Sequence, residues 1–209
     1  MRLQIVFPPI EPSRVALPAH CPMPGCGGEQ FRLHQEVWKS LRDRHYDAVP
    51  TYRYQCLRCG HTFRVYPRGV GRGQVSHRVR GLGLLLYLLG LSYRQVSELL
   101  NQWGIYFCKS RLHDAVREAG NEIIGLQRKR IFDRMRPAGP GEERPSVRWE
   151  GKWFPLELLV HDIDGLVLTM TELSITEVER LRNVIAPMAM AAEANVFVVD
   201  DVDVFRAVA

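Results

Sequence analysis

The sequence predicts a multidomain α+β chain built from three modules: a small cysteine-stapled one, a helical one, and part of a mixed strand–helix domain. Three observations predict it. Two close cysteine pairs frame residues 21–68. Helical periodicity with capping residues runs over 76–135. Strand and helix signals then alternate over 147–209, after a stretch dense in Pro and Gly. The chain has 209 residues, enough for two or three small domains.

Composition narrows the partners. The net charge of +5 hides an asymmetry: residues 1–136 hold 22 Lys and Arg against 10 Asp and Glu, and residues 137–209 hold 6 against 13. No acid stands between Asp47 and Glu98, yet eight arginines do: Arg53, Arg58, Arg64, Arg68, Arg72, Arg78, Arg80 and Arg94. Such a stretch suits a polyphosphate, because each cation that displaces a counterion adds affinity. The alternative is a solvated basic surface. The longest apolar run, Leu82 to Leu91, is broken by Gly83 and Gly90, far short of the ~20 residues of a membrane span. With no signal-peptide layout at the N-terminus, a cytoplasmic location and no membrane partner are expected.

Residues 1–20 are rich in proline and read as a poorly ordered lead-in. The module over 21–68 follows from Cys21-x4-Cys26 and Cys56-x2-Cys59. Two such turns each offer two thiolates, and one tetrahedral Zn2+ can join them as a zinc ribbon. Gly60 lets the backbone turn past the metal, and Tyr52, Tyr54 and Phe63 are expected to fill a small core. Four cysteines leave no coordination position for water, so the zinc is expected to be structural. A disulfide pairing fits a cytoplasmic chain poorly. His20 or His61 in place of one cysteine stays an alternative. Cys108, in an apolar helical context, reads as a small buried hydrophobe. His34, His45, His77 and His113 lack ligand spacing.

Residues 69–75 read as a basic, glycine-rich linker. The helical domain over 76–135 opens with a helix from Arg80 to Leu89, stopped by Gly90. Ser92 caps a second helix, with Val96, Leu99, Leu100 and Trp103 facing inward, and Gly104 ends it. Ser110 caps a third, from Arg111 to about Arg134, with Leu112, Val116, Ala119 and Ile123 on one face. Two short helices, a tight turn and a capped third fit a helix-turn-helix. The third helix would then present Lys109, Arg111, His113 and Asp114 to double-stranded DNA, with Arg94 and Gln95 on the backbone. Arg64, Arg68, Arg72, Arg78 and Arg80 join this DNA-binding set from the acid-free stretch. A plain helical hairpin with a solvated polar face has the same periodicity.

After a second linker over 136–146, residues 147–209 read as a hairpin, a third strand from Leu166 to Thr171, a helix from Ile175 to Ala192 capped by Ser174, and a strand from Asn195 to Val199. Pro187 should kink or stop that helix near Ala186. The order β-β-β-α-β, with Asp200 at the end of the last strand, fits the opening of a ribonuclease-H-like α/β domain. Such folds gather carboxylates around divalent metals for phosphoryl transfer, and Mg2+ takes oxygen ligands. A surface turn or a helix cap accounts for Asp200 as well.

In C-P-M-P-G-C, Y-R-Y-Q-C-L-R-C-G-H-T-F, L-G-L-S-Y-R-Q-V-S-E-L-L, V-R-W-E-G-K-W-F-P-L-E-L-L-V-H-D-I-D-G and V-F-V-V-D-D-V-D-V-F-R-A-V-A, the chain resembles DDE-type insertion-sequence transposases over about residues 20 to 209. The resemblance implies binding to transposon ends, strand transfer by two-metal phosphoryl transfer, and a homo-oligomer. It implies catalytic and Mg2+-binding Asp200, with Asp201 as its competitor. The family's first catalytic Asp aligns with Glu143. The third carboxylate is expected on a later helix, beyond Ala209, so this chain is expected to be a truncated, weak or inactive catalyst. The alternative is a non-catalytic, site-specific DNA-binding protein, a repressor or a transposase remnant.

Overall fold

A computed structural model describes residues 2–122, 135–136, 146–149, 152–161, 164–170 and 173–199. The fold is mixed α+β, with four helices and several small sheets among the described residues. It divides into two compact units: residues 1–8 with 78–209, and residues 9–77.

In the first unit, β1 (Arg2–Val6) lies inside a six-stranded sheet. Its neighbours are β10 (Gly165–Met170) and β11 (Asn195–Val199), both antiparallel to it. β9 (Lys152–His161), β8 (Ser146–Trp149) and the short β7 (Met135–Arg136) extend the sheet beyond β10. The expected lead-in over residues 1–20 is therefore corrected. Leu3 and Ile5 are buried, at 1% and 0% exposure, and their burial in the sheet outweighs the loop tendency of the nearby prolines. The hairpin, third strand, helix and fourth strand expected from 147 onward are all present, but β1 stands between β10 and β11.

Three helices follow the return of the chain to this unit. α1 (His77–Leu88) is buried almost all round. A Cβ at Gly81 would collide with the Ala192 carbonyl oxygen, and one at Gly83 would come within 2.9 Å of the Phe107 ring. These two glycines let α1 pack against the end of the helix α4 (Ile175–Ala191) and against Phe107 and Leu112. The helical domain expected over 76–135 thus shares α1 with the sheet and is no free-standing module. α2 (Tyr93–Gln102) carries a full capping box: Ser92 Oγ accepts the Gln95 amide, and Gln95 Oε1 accepts from Ser92. α2 ends in a Schellman turn, with Ile105 N donating to Leu100 O and Gly104 at φ +76°. α3 (Lys109–Glu122) begins two residues before the expected Arg111. The Leu112 amide donates to the Cys108 carbonyl, so Cys108 holds the cap expected of Ser110.

α4 runs through Pro187 without stopping at Ala186. Its buried face continues past the proline with Met188 and Ala189. The missing hydrogen bond falls on Asn183, four residues back on the exposed side. Burial of that face outweighs the local break.

The second unit contains a three-stranded antiparallel sheet, β3 (Phe31–Ser40), β4 (Ala48–Cys56) and β5 (Thr62–Val65). A small ladder pairs β2 (Glu11–Val15) with β6 (Pro67–Arg68). The buried core is Ile10, Leu41, Val49 and Val70, with Tyr46 and Tyr66 against it. Tyr52, Tyr54 and Phe63, expected as that core, are only half-buried; Phe63 instead packs with Phe31 and Tyr54. The expected linker over 69–75 is part of this unit. Val70 is 5% exposed, the Gly69 carbonyl accepts the His77 amide, and Val75 bridges Arg42.

Candidate metal centre and basic surface

The metal centre lies where two turns of the second unit meet. In the first, Cys26 N donates to Met23 O, and Cys21 N donates to Gly28 O. Gly25 and Gly27 take positive φ values of 75° and 58°, a region open to glycine with little strain. In the second, Cys56 leaves the end of β4, and Gly60 N returns to Cys56 O at 3.0 Å, with Gly60 at φ +72°. Leu57 N donates to Gln30 O and ties the two turns together.

The Sγ atoms of Cys21, Cys26, Cys56 and Cys59 all lie within 4.8 Å of one another, close enough to hold one metal ion. Cys21 and Cys59 are 3.7 Å apart, and Cys26 and Cys56 are 3.8 Å apart. A disulfide bond is about 2.05 Å long, and all five cysteines are free thiols. His20 instead faces Glu29, with Nδ1 3.3 Å from its carboxylate, and the grouped ligands are the four cysteines.

Electrostatics differ across the cluster. Amide hydrogen bonds from Cys59 and then Arg58 bring Cys56 down to about 7, against its burial. Burial pushes Cys21 up to about 12. At Cys26 the Gly28 amide pulls downward, but the Cys59 thiol and burial outweigh it, and the group is raised. A cation bound among four such sulfurs would take the place of thiol protons.

Sequence reasoning missed Gly28. A Cβ there would sit 2.8 Å from Cys56 Sγ and 3.3 Å from Cys26 Sγ. The signal is the Gly27-Gly28 pair directly after Cys26.

The cations expected at DNA separate into several groups. Arg64, Arg68 and Arg72 are exposed, and Arg68 pairs with Glu11 at 2.8 Å. Arg78 is corrected out of the surface set. It is 4% exposed and bonds Asp164 at 2.8 Å, because α1 is wrapped on nearly every side. Arg80 pairs with Glu118 of α3, and Arg94 with Glu98. Gln95 is bound up in the α2 cap. Lys109 and Arg111 are exposed, on opposite flanks of the stripe formed by buried Leu112, Ala115 and Ala119. His113 is exposed, with its ring edge-on to Tyr93 at 5.8 Å, and Tyr93 stacks on Tyr87 at 4.3 Å. Cys108 is half-buried, not the buried hydrophobe expected; the Ser110 hydroxyl and the Arg111 amide lower its thiol. Glu143 and Asp200, the expected catalytic pair, and Asp201 lie outside the described residues.

No helix among the described residues is long and apolar enough to cross a membrane. Comparison with family models, with curated proteins and with solved structures gives no match to this chain.

Proposed function

We propose that this chain is a double-stranded-DNA-binding protein of the DDE-transposase kind, stapled by a structural zinc ion at Cys21, Cys26, Cys56 and Cys59. The observation that carries the DNA reading is α3. Its first turns hold no acid before Asp114, and Lys109 and Arg111 stand exposed on the two flanks of its buried stripe. A helix of this kind, following a capped and sharply turned partner, is suited to the major groove. The zinc reading is supported by the donor set and its spacing. A tetrahedral site with Zn–S bonds of about 2.3 Å has edges of about 3.8 Å, and the paired sulfurs lie at 3.7 and 3.8 Å. Zinc would supply folding free energy there and no reaction chemistry.

Fluorescence anisotropy on two labelled duplexes at several salt concentrations tests the proposal. One duplex carries the DNA flanking the gene, and the other is scrambled. Tighter binding to the flanking duplex at every salt is the expected result. Arg111→Ala should weaken it by ~1–3 kcal/mol if the guanidinium reads a guanine. Equal, steeply salt-dependent binding to both would leave a general basic DNA binder and remove the transposase reading.

Strand transfer rests on the resemblance and on Asp200, which follows the last residue of β11 in sequence. Nicking of the flanking duplex that needs Mg2+ and is lost in Asp200→Ala is the expected mark of the catalyst. The second reading, a non-catalytic site-specific binder, is favoured by Glu143 standing where the resemblance asks for Asp. It expects the same selective binding without nicking.

A further inference from the structure

Residues paired across antiparallel strands lie on one face of a sheet, and so do residues two apart along a strand. In the three-stranded sheet, Gln35, Arg53 and Arg64 form one rung, and Arg32, Gln55 and Thr62 form the next. Lys39, paired with Val49, lies further along on the same side. One face therefore gathers Arg32, Lys39, Arg53 and Arg64. The only acid on the three strands, Glu36, pairs with Tyr52 on the opposite face, which also carries Tyr54 and Phe63. The sheet is split by charge at the end that carries Arg32, Arg53 and Arg64, with aromatic rings and the acid on the other side; toward Lys39 the same face runs into buried Thr51 and the core residue Val49.

No acid neutralises these cations among the described residues, and the Lys39 amine donates to the Gly73 carbonyl oxygen. Among the described residues, no ion pair involves Arg32, Lys39, Arg53 or Arg64. Arg53 is half-buried, and its Nε is buried with no hydrogen-bond partner. Arg32 reaches Gln55 Oε1 at 2.7 Å, a neutral acceptor. Lys39 is lowered by burial and then by repulsion from Arg64, so these charges feel one another directly. Like charges left together without acids cost stability, and a polyanion relieves that cost by displacing counterions.

We infer that this face of the metal-stapled sheet is a second DNA-contact surface, where Arg32, Lys39, Arg53 and Arg64 take the phosphodiester backbone of a duplex. It rests on the DNA-binding reading above and adds a surface that α3 does not supply. Contacts of this kind carry no base information. They should set affinity and salt dependence and leave sequence preference to other residues.

The test is the salt dependence of duplex binding by the full zinc-loaded chain, read as the slope of log Kobs against log salt. Arg32→Gln with Arg64→Gln removes two exposed charges without disturbing the buried core; retained zinc content verifies the fold. The slope should fall in magnitude by about 1.8, near 0.9 for each phosphate no longer neutralised. The preference for the flanking over the scrambled duplex should stay unchanged. The control, Arg14→Gln with Arg182→Gln, removes the same charge from surface pairs elsewhere and should leave the slope alone. A wild-type chain that binds DNA while the R32Q/R64Q slope stays unchanged would overturn this surface and spare the DNA-binding reading. An equal drop in the control would overturn it too, as an effect of net charge. A wild-type chain that binds no duplex at low salt would overturn both.

Discussion

At the scale of single residues, the four-cysteine cluster, which could hold a metal ion, allows little latitude. Four sulfurs within 4.8 Å leave no room for a misplaced ligand. Cys56 stands at the junction: it ends β4, its carbonyl accepts the Gly60 amide, and its sulfur faces Cys26. Cys56→Ser should bring zinc from one equivalent to none, measured by elemental analysis of the purified chain. Structural zinc supplies much of the folding free energy of such sites, so loss of the sheet's circular-dichroism signal should accompany it. Full retention of metal would show that the ligand set is wrong. Gly28→Ala probes the same centre without touching a ligand. Its Cβ would meet Cys56 Sγ at 2.8 Å, so transfer of zinc to a chelator should speed up. Gly73→Ala, which meets nothing within 4 Å, should leave the transfer rate alone.

Elements were legible where a local signal fixed them. The capping boxes of α2 and α4, begun by Ser92 and Ser174, stand where side chain and spacing predict. Gly104 stops α2 because it alone takes φ +76° there at little cost. Gly104→Ala should destabilise the first unit by about 1 kcal/mol, read in urea unfolding; no change would mean that the turn is reshaped freely. The α4 box is sensitive to acid. Hydrogen bonds from the Ser174 hydroxyl and amide hold Glu177 below its ordinary 4.5. Folding therefore favours the charged form, so the stabilisation is present at neutral pH and fades as pH falls through 4.5 toward the lowered value. Glu177→Gln keeps a capping side chain at every pH. The melting-temperature difference between wild type and E177Q should shrink on acidification; a constant difference would deny the charge its part. Where long-range packing competed with the local signal, it prevailed. α4 passes Pro187 for its buried face.

At the scale of the molecule, the unexpected feature is the path of the chain. Residues 9–77 are inserted between β1 and α1 of the first unit. That unit is therefore completed by its first strand, with β10 on one side and β11 on the other. Leu3→Asp would put a carboxylate at a position 1% exposed, between two strands. It should destabilise the first unit by more than about 4 kcal/mol, seen as a large drop in the urea midpoint. A variant that unfolds like wild type would return residues 1–8 to the status of a loose lead-in. Arg78 shows the same scale at work. Its sequence neighbourhood is the basic, acid-free stretch, yet its place on α1 buries it against Asp164, eighty-six residues away.

Short-range chemistry in the chain is enough to specify the two cysteine pairs, the glycine turns that present them, the capping boxes at Ser92 and Ser174, and the three short helices in order. Each depends on residues within a few positions, where spacing and φ preference act directly. Packing at long range was needed to make residues 2–6 a strand inside the sheet, to draw residues 69–75 into a folded unit, and to seat α1 closely on its neighbours at Gly81 and Gly83. It also set which arginines face solvent and which of them share one face of the sheet. These outcomes depend on burial and on strand register. Both are fixed by partners far along the chain, which local pattern does not record.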